Sequence, residues 1–363
     1  MSCCHTCCKR GTCVTIPGAL AALRSKCERA TDVDRRVVLY GAGQCGRLVA
    51  DWMTSAGLKP LAFCDRNEAL RGKEINGVLV LSPEESAAIH YDAAFVVCVR
   101  DPETAAEIRS QLDTMNVRRV DNCSWLIPPP EGIDDVLADV FADDASRREC
   151  LAQLAWRLGQ ANTLPHWPHD EMYFPRDLFH LTNREVFVDL GAYDGDTFLE
   201  FRQRVKDFAA YVAFEPDPWN FSRLRAHMDK YPADSPRIHI WNMAIGEDPG
   251  FVWFRATADV SSRICDQGES KVPCDRLDNL SWPEAPTFIK LDIEGSELSA
   301  LKSGENMIRE HRPILAVCAY HKPQDLWEIP LWIAGLGVGY KVYLRRYGPA
   351  DTELVVYGVP EER

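Results

Sequence analysis

No run of about 18 apolar residues occurs anywhere in the 363-residue sequence, so a membrane-spanning helix is not expected. The opening stretch MSCCHTCCKRGTC lacks the apolar segment of a signal peptide, and the expectation is a cytoplasmic protein. Basic residues are also short: 41 Lys and Arg stand against 54 Asp and Glu, a net charge of −13. Phosphate contacts need clustered Lys and Arg, so nucleic acid and anionic membranes are not expected partners. A small or neutral substrate fits better. Internal repeats are absent beyond two related α/β halves, and low complexity is confined to the N-terminal tail. The 14 cysteines are spread through a long chain without an export signal, and most are expected as reduced thiols. In the tail, Cys3, Cys4, His5, Cys7, Cys8 and Cys13 include one CxxC, but the second half of a zinc-ribbon pattern is missing. A disordered, oxidation-prone tail is the expectation there.

A chain of this length is long for one hydrophobic core, and 46% hydrophobic with 26% charged residues is an ordinary globular composition. The reading divides it into a Cys-rich tail (1–14), a Rossmann-like domain of nucleotide-binding type (15–125), a helical linker and lid (126–171) and a second domain (172–363). After a short helical pattern, GALAALRSKCERA, the apolar runs RRVVLY, LKPLAFCD, GVLVLS, AAFVVCVR and VRRVDN alternate with the helical patterns LVADWMTSAG, SPEESAAIH and DPETAAEIRSQL. That alternation implies a small parallel sheet. Pro128, Pro129 and Pro130 punctuate it, and the acidic run EGIDDVLADVFADD followed by RRECLAQLAWRLGQ reads as helical. From Glu185 the pattern restarts with EVFVDL, AAYVAFE, RIHIWNMA, PTFIKLD and PILAVCAY. YKVYLRRY and TELVVYGV follow, separated only by GPAD, and should pair as an antiparallel hairpin.

In an open α/β sheet the ligand lies beyond the carboxyl ends of the strands, where the strand order reverses. EVFVDL delivers Asp189, Gly191 and Gly195 to that edge, with Tyr193 where many cofactor loops carry a glycine. Glycines let the backbone approach a ligand, and the helix start beyond them offers free N–H groups. AAYVAFEPDP ends in Glu215, where a carboxylate can accept from both ribose hydroxyls; a plain strand-end charge beside Pro216 is the alternative.

VFVDLGAYDGDT, AFEPDP, WNMAIGE, SSRICDQGESKVPCDRLDNL and above all FIKLDIEGSELSALKSG with AVCAYHKPQDLWEIP resemble the FkbM family of S-adenosylmethionine-dependent methyltransferases. The likeness runs roughly from Met172 to Gly358, and IKLDIEGSE is its most specific part. It implies an α/β fold: a class I methyltransferase Rossmann-like sheet with a C-terminal antiparallel hairpin, here preceded by the smaller Rossmann-like α/β domain. It further implies S-adenosyl-L-methionine as cofactor and O-methylation of a hydroxyl on a carbohydrate or secondary-metabolite acceptor. By the same resemblance Asp189, Gly191 and Gly195 cradle the methionine moiety, Glu215 holds the ribose, and Met243 and Ala244 border the adenine. Simple core packing is the alternative for the last two.

Methyl transfer to oxygen needs a base to take the hydroxyl proton. PTFIKLD ends in Asp292, with Glu294 and Glu297 beyond it, and PILAVCAY leads to His321 and Lys322 at the neighbouring strand end. Histidine titrates near neutrality, so His321 is the expected base and Asp292 the positioning group, with Glu294 beside them. Glu297 opens a helix, where the dipole favours an acid whatever its function. Asp292 and Glu294 suit a hard cation, but no full ligand set is readable and no metal is assigned. Upstream, HWPHDEMYFPRD holds His166, His169, Asp170, Glu171 and Tyr173; its prolines argue for a loop, read as a lid with Tyr173 facing the site.

The first domain carries GAGQCG, a complete G-x-G-x-x-G between strand and helix: Gly41, Gly43 and Gly46, with Asp65 closing the next strand. A nucleotide or nucleotide-sugar is the expected partner of that turn, a ligand-free scaffold the bland alternative. The competing function is an NAD-dependent oxidoreductase or a nucleotide-sugar-binding protein that uses this domain.

Overall fold

The computed structural model describes residues 36–55, 57–99, 102–120, 133, 139–157, 164, 166, 169, 171–255, 263–265, 270–348 and 353–363. The cysteine tail, the GALAALRSKCERA helix and the three prolines at 128–130 lie outside them. Contacts divide the chain into two compact units, residues 1–134 with 151–164 and residues 135–150 with 165–363. None of the helices among the described residues is long and apolar enough to cross a membrane.

The first unit is a six-stranded sheet in the order β3-β4-β2-β1-β5-β6. Its strands are β1 (Val37–Tyr40), β2 (Ala62–Cys64), β3 (Glu74–Ile75), β4 (Val78–Leu81), β5 (Ala94–Val97) and β6 (Arg118–Val120). All pair in parallel except β3, a two-residue strand antiparallel to β4 that the sequence pattern does not show. β1 and β5 are buried along their whole length, as apolar runs covered on both faces must be. The helices α1 (Gln44–Ser55), α2 (Pro83–Ile89) and α3 (Pro102–Thr114) lie between strands. α2 starts at a capping box: the Ser82 hydroxyl accepts from the Glu85 N–H and the Glu85 carboxylate accepts from the Ser82 N–H.

At the head of α1 the three glycines serve different ends. A Cβ on Gly46 would lie 1.8 Å from the Gly41 carbonyl oxygen, and one on Gly41 (φ +110°) 2.9 Å from the Cys98 carbonyl oxygen, whereas Gly43 faces open space. Gly46 therefore lets α1 close onto β1. Gly46→Ala should cost this unit about 3 kcal/mol or more, the upper range of overpacking, and Gly43→Ala little. Hydrogen exchange of the β1 and β5 amides checks this; unchanged protection in Gly46→Ala would contradict the close packing.

The second unit is built on a seven-stranded sheet in the order β16-β17-β15-β14-β7-β8-β9. Its strands are β7 (Val186–Leu190), β8 (Ala210–Phe214), β9 (Ile238–Trp241), β14 (Phe288–Leu291), β15 (Ile314–Cys318), β16 (Tyr340–Arg346) and β17 (Leu354–Pro360). The first five are parallel and β16–β17 is the expected antiparallel hairpin, with β17 antiparallel to β15. The chain runs outward from β7 through β8 and β9 and returns at β14, so the strand order reverses between β7 and β14. Helices α5 (Asp196–Arg204), α6 (Pro218–Met228), α7 (Glu297–Ser303), α8 (Glu305–His311) and α9 (Asp325–Gly335) connect the strands. One face of the sheet packs an aromatic core in which Phe187 lies 4.8 Å from Phe201 and 5.3 Å from Phe288 between ring centroids.

RIHIWNMA, read as one strand, breaks in two. The Asn242 side-chain N–H₂ donates to the carbonyls of Glu215 and Pro216 at 2.8 and 3.0 Å, ending β9. The chain then enters a separate four-stranded sheet, β10-β13-β11-β12, of β10 (Ala244–Ile245), β11 (Gly250–Arg255), β12 (Arg263–Cys265) and β13 (Ser270–Asp275). The acidic linker supplies α4 (Asp144–Arg157), preceded by a parallel bridge from Phe141 to Val342. Arg345 holds Asp143 at 2.7 Å and Asp177 at 3.0 Å, while the buried Arg346 holds Glu149 at 2.7 Å.

Candidate active site

The turn after β7 needs backbone conformations that few side chains tolerate. Gly191, Tyr193 and Gly195 all have positive φ, at 82°, 49° and 88°, and Tyr193 therefore occupies a glycine's conformation, as its place in the motif implies. A Cβ on Gly191 would lie 1.9 Å from the Asp292 carbonyl oxygen. The glycine turn and the end of β14 thus press together at the reversal of strand order. Gly195, the N-cap of α5, has no side chain to cap with, and in the first turn the Thr197 N–H donates to the Asp196 carboxylate at 2.7 Å.

Glu215, at the end of β8, is 5% exposed. Its Oε2 accepts from the Tyr193 N–H at 2.9 Å and its Oε1 from the Asp217 N–H at 2.8 Å. Burial pushes its carboxyl up to about 7 against these two bonds, which favour the ionised form. Asp65 in the first unit repeats the arrangement: Oδ2 accepts from Ala42 N–H at 2.7 Å and Oδ1 from Asn67 N–H at 2.8 Å. In both units the acid ties the glycine turn to the strand beside it.

Asp189 does not stand at the ligand edge. It is fully buried, paired in register with Lys290 on β14. Lys290 Nζ lies 3.0 Å from its Oδ1, and the Tyr211 hydroxyl donates to Oδ2 at 2.9 Å. Burial raises the Asp189 carboxyl while Lys290 and Tyr211 oppose it. Lys290 Nζ also donates to the Gly191 carbonyl at 2.7 Å, so Asp189 acts on the turn through Lys290. Ala244, expected at the adenine, is buried with Val272 and Cys274 in the core of the small sheet, and packing accounts for it. Met243, beside it, is half-buried.

β14 and β15 bring the candidate catalytic residues together. His321 Nε2 lies 3.5 Å from Asp292 Oδ1 and 3.7 Å from Glu294 Oε1, and Nδ1 lies 2.8 Å from Glu297 Oε1. The Tyr173 hydroxyl donates to Asp292 Oδ2 at 2.9 Å and the Tyr320 hydroxyl to Oδ1 at 3.3 Å. Tyr173 therefore does face the site, as read for the segment before β7. Its neighbours do not join it: Glu171 pairs with Arg176 and Arg204, the His169 ring lies 6.0 Å from Tyr347, and Asp170 lies outside the described residues.

Two expectations change here. Burial alone would lower the His321 imidazole, but Glu297, Asp292 and Glu294 outweigh it and raise it to about 9. A histidine that is 3% exposed and charged at neutral pH is not an open proton acceptor. Glu297, read as a helix-dipole residue, is fully buried: its Oε1 meets Nδ1 of His321 and accepts from the Ile293 N–H at 2.9 Å. Burial would raise its carboxyl, and the charge of His321 holds it below the usual range instead. An acid six residues beyond the end of β14, with a histidine just beyond the neighbouring strand, is the signal that could have paired them.

Residues 189–342 match the sequence model of the methyltransferase FkbM domain, and residues 33–120 that of the C2185-like N-terminal domain. No curated protein sequence matches the chain. The fold is similar to the crystal structure of methyltransferase FkbM from Methylobacillus flagellatus KT, at 22% identity and TM-score 0.60 over 95% of this chain and 100% of that one. Two further structures overlap less. UDP-D-quinovosamine 4-dehydrogenase from Vibrio fischeri covers 23% of this chain and 74% of its own (20% identity, TM-score 0.21). Precorrin-6y C5,15-methyltransferase from Geobacter metallireducens GS-15 covers 50% and 82% (13% identity, TM-score 0.32). Residues 189–342, which hold the glycine turn, Glu215 and the Asp292–His321 cluster, are the part of the chain similar to the methyltransferase FkbM domain.

Proposed function

We propose that this domain transfers a methyl group from S-adenosyl-L-methionine to a hydroxyl of a carbohydrate or secondary-metabolite acceptor. The observation that carries the reading is the contact of Gly191 with the Asp292 carbonyl, which sets a cofactor-type turn directly beside a carboxylate cluster. The residues fit the cofactor. Glu215 is a buried carboxylate short of donors, and each of its oxygens has a lone pair left for one of two vicinal hydroxyls.

When bound, the cofactor supplies an electrophilic methyl on a sulfonium. The chain's own residues prepare the acceptor. Asp292, with both carboxylate oxygens held by tyrosine hydroxyls, fixes the acceptor's position. Glu294, whose side chain keeps 25% exposure against 3% for His321, takes the hydroxyl proton. His321 holds both acids from behind. In the first unit, Gly41, Gly43, Gly46 and Asp65 frame a nucleotide or nucleotide-sugar site in the same reading, with Gly43 as the face left open.

Glu215→Ala should weaken S-adenosylhomocysteine binding by on the order of 2–4 kcal/mol, roughly 30- to 900-fold, through loss of two charge-assisted hydrogen bonds. The pH dependence has a definite sign. Glu215 free of ligand carries a proton below about 7, while donation from two hydroxyls favours the ionised form, so binding below that point must expel the proton. The dissociation constant should fall about tenfold per pH unit as pH rises toward 7 and level off above it. Glu215→Gln should abolish that slope. Calorimetric titration across this range checks both; wild-type affinity in Glu215→Ala would remove the ribose assignment.

A further inference from the structure

The small sheet of β10 to β13 alternates inward and outward along β11, but its outer face carries rings where water favours polar side chains. Inward, Val252 packs on a core of Ala244, Val272 and Cys274. Outward, Phe251 and Trp253 are 66% and 45% exposed, and their register partners on β13, Pro273 and Lys271, are exposed beside them. The solvated face of an antiparallel sheet is ordinarily polar. Side chains two residues apart on a strand stand about 7 Å apart on one face, so the two rings form a single platform. Lys271 Nζ lies 4.9 Å from the Phe251 ring centroid, which places a cationic donor over its edge.

The small sheet stands at the carboxyl edge of the large one. It begins at Ala244, just beyond Trp241, the last residue of β9. It is also tied to the helix that opens at Glu297: the Glu247 N–H donates to Ser299 Oγ at 3.2 Å, and Arg276 donates to the carbonyls of Glu247 and Lys302 at 3.0 and 3.2 Å. The exposed parts of Phe251 and Trp253 together offer on the order of 250 Å², since an aromatic side chain has about 150–250 Å². A stable protein interface needs about 800 Å² per partner, so these rings are too small for a second copy or another protein. They match a short run of sugar rings, whose C–H faces are flat and apolar and whose hydroxyls lie at the rim. We propose that this face is a saccharide platform, on which Phe251 and Trp253 stack against sugar rings of the methyl acceptor while Lys271 donates to their hydroxyl oxygens. The inference rests on the methyltransferase reading and narrows its acceptor to a carbohydrate.

The test applies the full chain to an array of immobilised oligosaccharides of neutral, amino and uronic sugars, and then titrates the retained oligosaccharide in solution against wild type, Phe251→Thr and Trp253→Thr. Threonine suits an exposed strand position, so both variants keep the fold. Each should weaken the oligosaccharide at least about tenfold, as loss of an aromatic anchor does. Each should also raise KM for that acceptor and leave kcat and S-adenosylhomocysteine affinity unchanged. Three results overturn the platform: an array that retains nothing, a variant that binds the oligosaccharide as the wild type does, or a dimer in sedimentation that Trp253→Thr dissolves. S-adenosylhomocysteine binding in the same samples then leaves the methyltransferase reading standing. Oligosaccharide binding that the variants lose, in a chain that takes up no S-adenosylhomocysteine, does the reverse.

Discussion

A Lys290→Met protein unfolds about 3–5 kcal/mol more easily than the wild type. Lys290 and Asp189 face each other across two central strands, 3.0 Å apart, at 4% and 0% side-chain exposure. With the ammonium gone, the Asp189 carboxylate keeps only the Tyr211 hydroxyl and must stay charged in an apolar interior or take up a proton. The Gly191 carbonyl also loses its donor, so the turn loosens along with the sheet. In thermal unfolding the loss reads as a drop of roughly 6–20 °C for a domain of this size. A double variant, Lys290→Met with Asp189→Leu, should recover most of it, because replacing a buried pair by apolar groups of similar volume is often neutral. Lys290→Met melting with the wild type would mean that the pair lies in water and that the turn is held some other way.

Glu294→Gln should lower turnover by about 10²–10⁴ while leaving S-adenosylhomocysteine affinity nearly intact. The acid sits three residues beyond β14 with a left-handed backbone (φ 55°) and its Oε1 3.7 Å from His321 Nε2. Glutamine keeps the shape and removes the proton acceptor. Asp292→Asn should instead disturb both turnover and binding, since its backbone abuts the glycine turn and its oxygens anchor two tyrosines. Single-turnover methyl transfer at saturating cofactor, with an acceptor found by screening, separates the two. A Glu294→Gln enzyme at the wild-type rate would remove that residue from the site and leave bound water or Asp292 to take the proton.

The parts of this site legible in the sequence are those that local constraints dictate. Gly191, Gly195 and the strand ends could be placed because positive φ and close approach admit so few residues. Glu215 could be placed because it ends a fully apolar run. The burial of Asp189 is not legible in this way, because its partner lies 101 residues away and only the sheet register puts Lys290 opposite it. The ordinary titration range of histidine does not describe His321, whose behaviour is decided by Glu297 at the head of α7. The break between β9 and β10 depends on the Asn242 side chain bonding a turn 26 residues upstream, which no hydrophobic pattern records. The two-residue β3 is too short to leave a period of its own.

Calorimetric titration of the full chain with S-adenosylhomocysteine, run beside an identical titration with NAD, tests the central claim most directly. The account predicts one S-adenosylhomocysteine per chain, with affinity that improves up to about pH 7 and collapses in Glu215→Ala. A folded protein that gives no heat with S-adenosylhomocysteine, whatever it does with NAD, would contradict it.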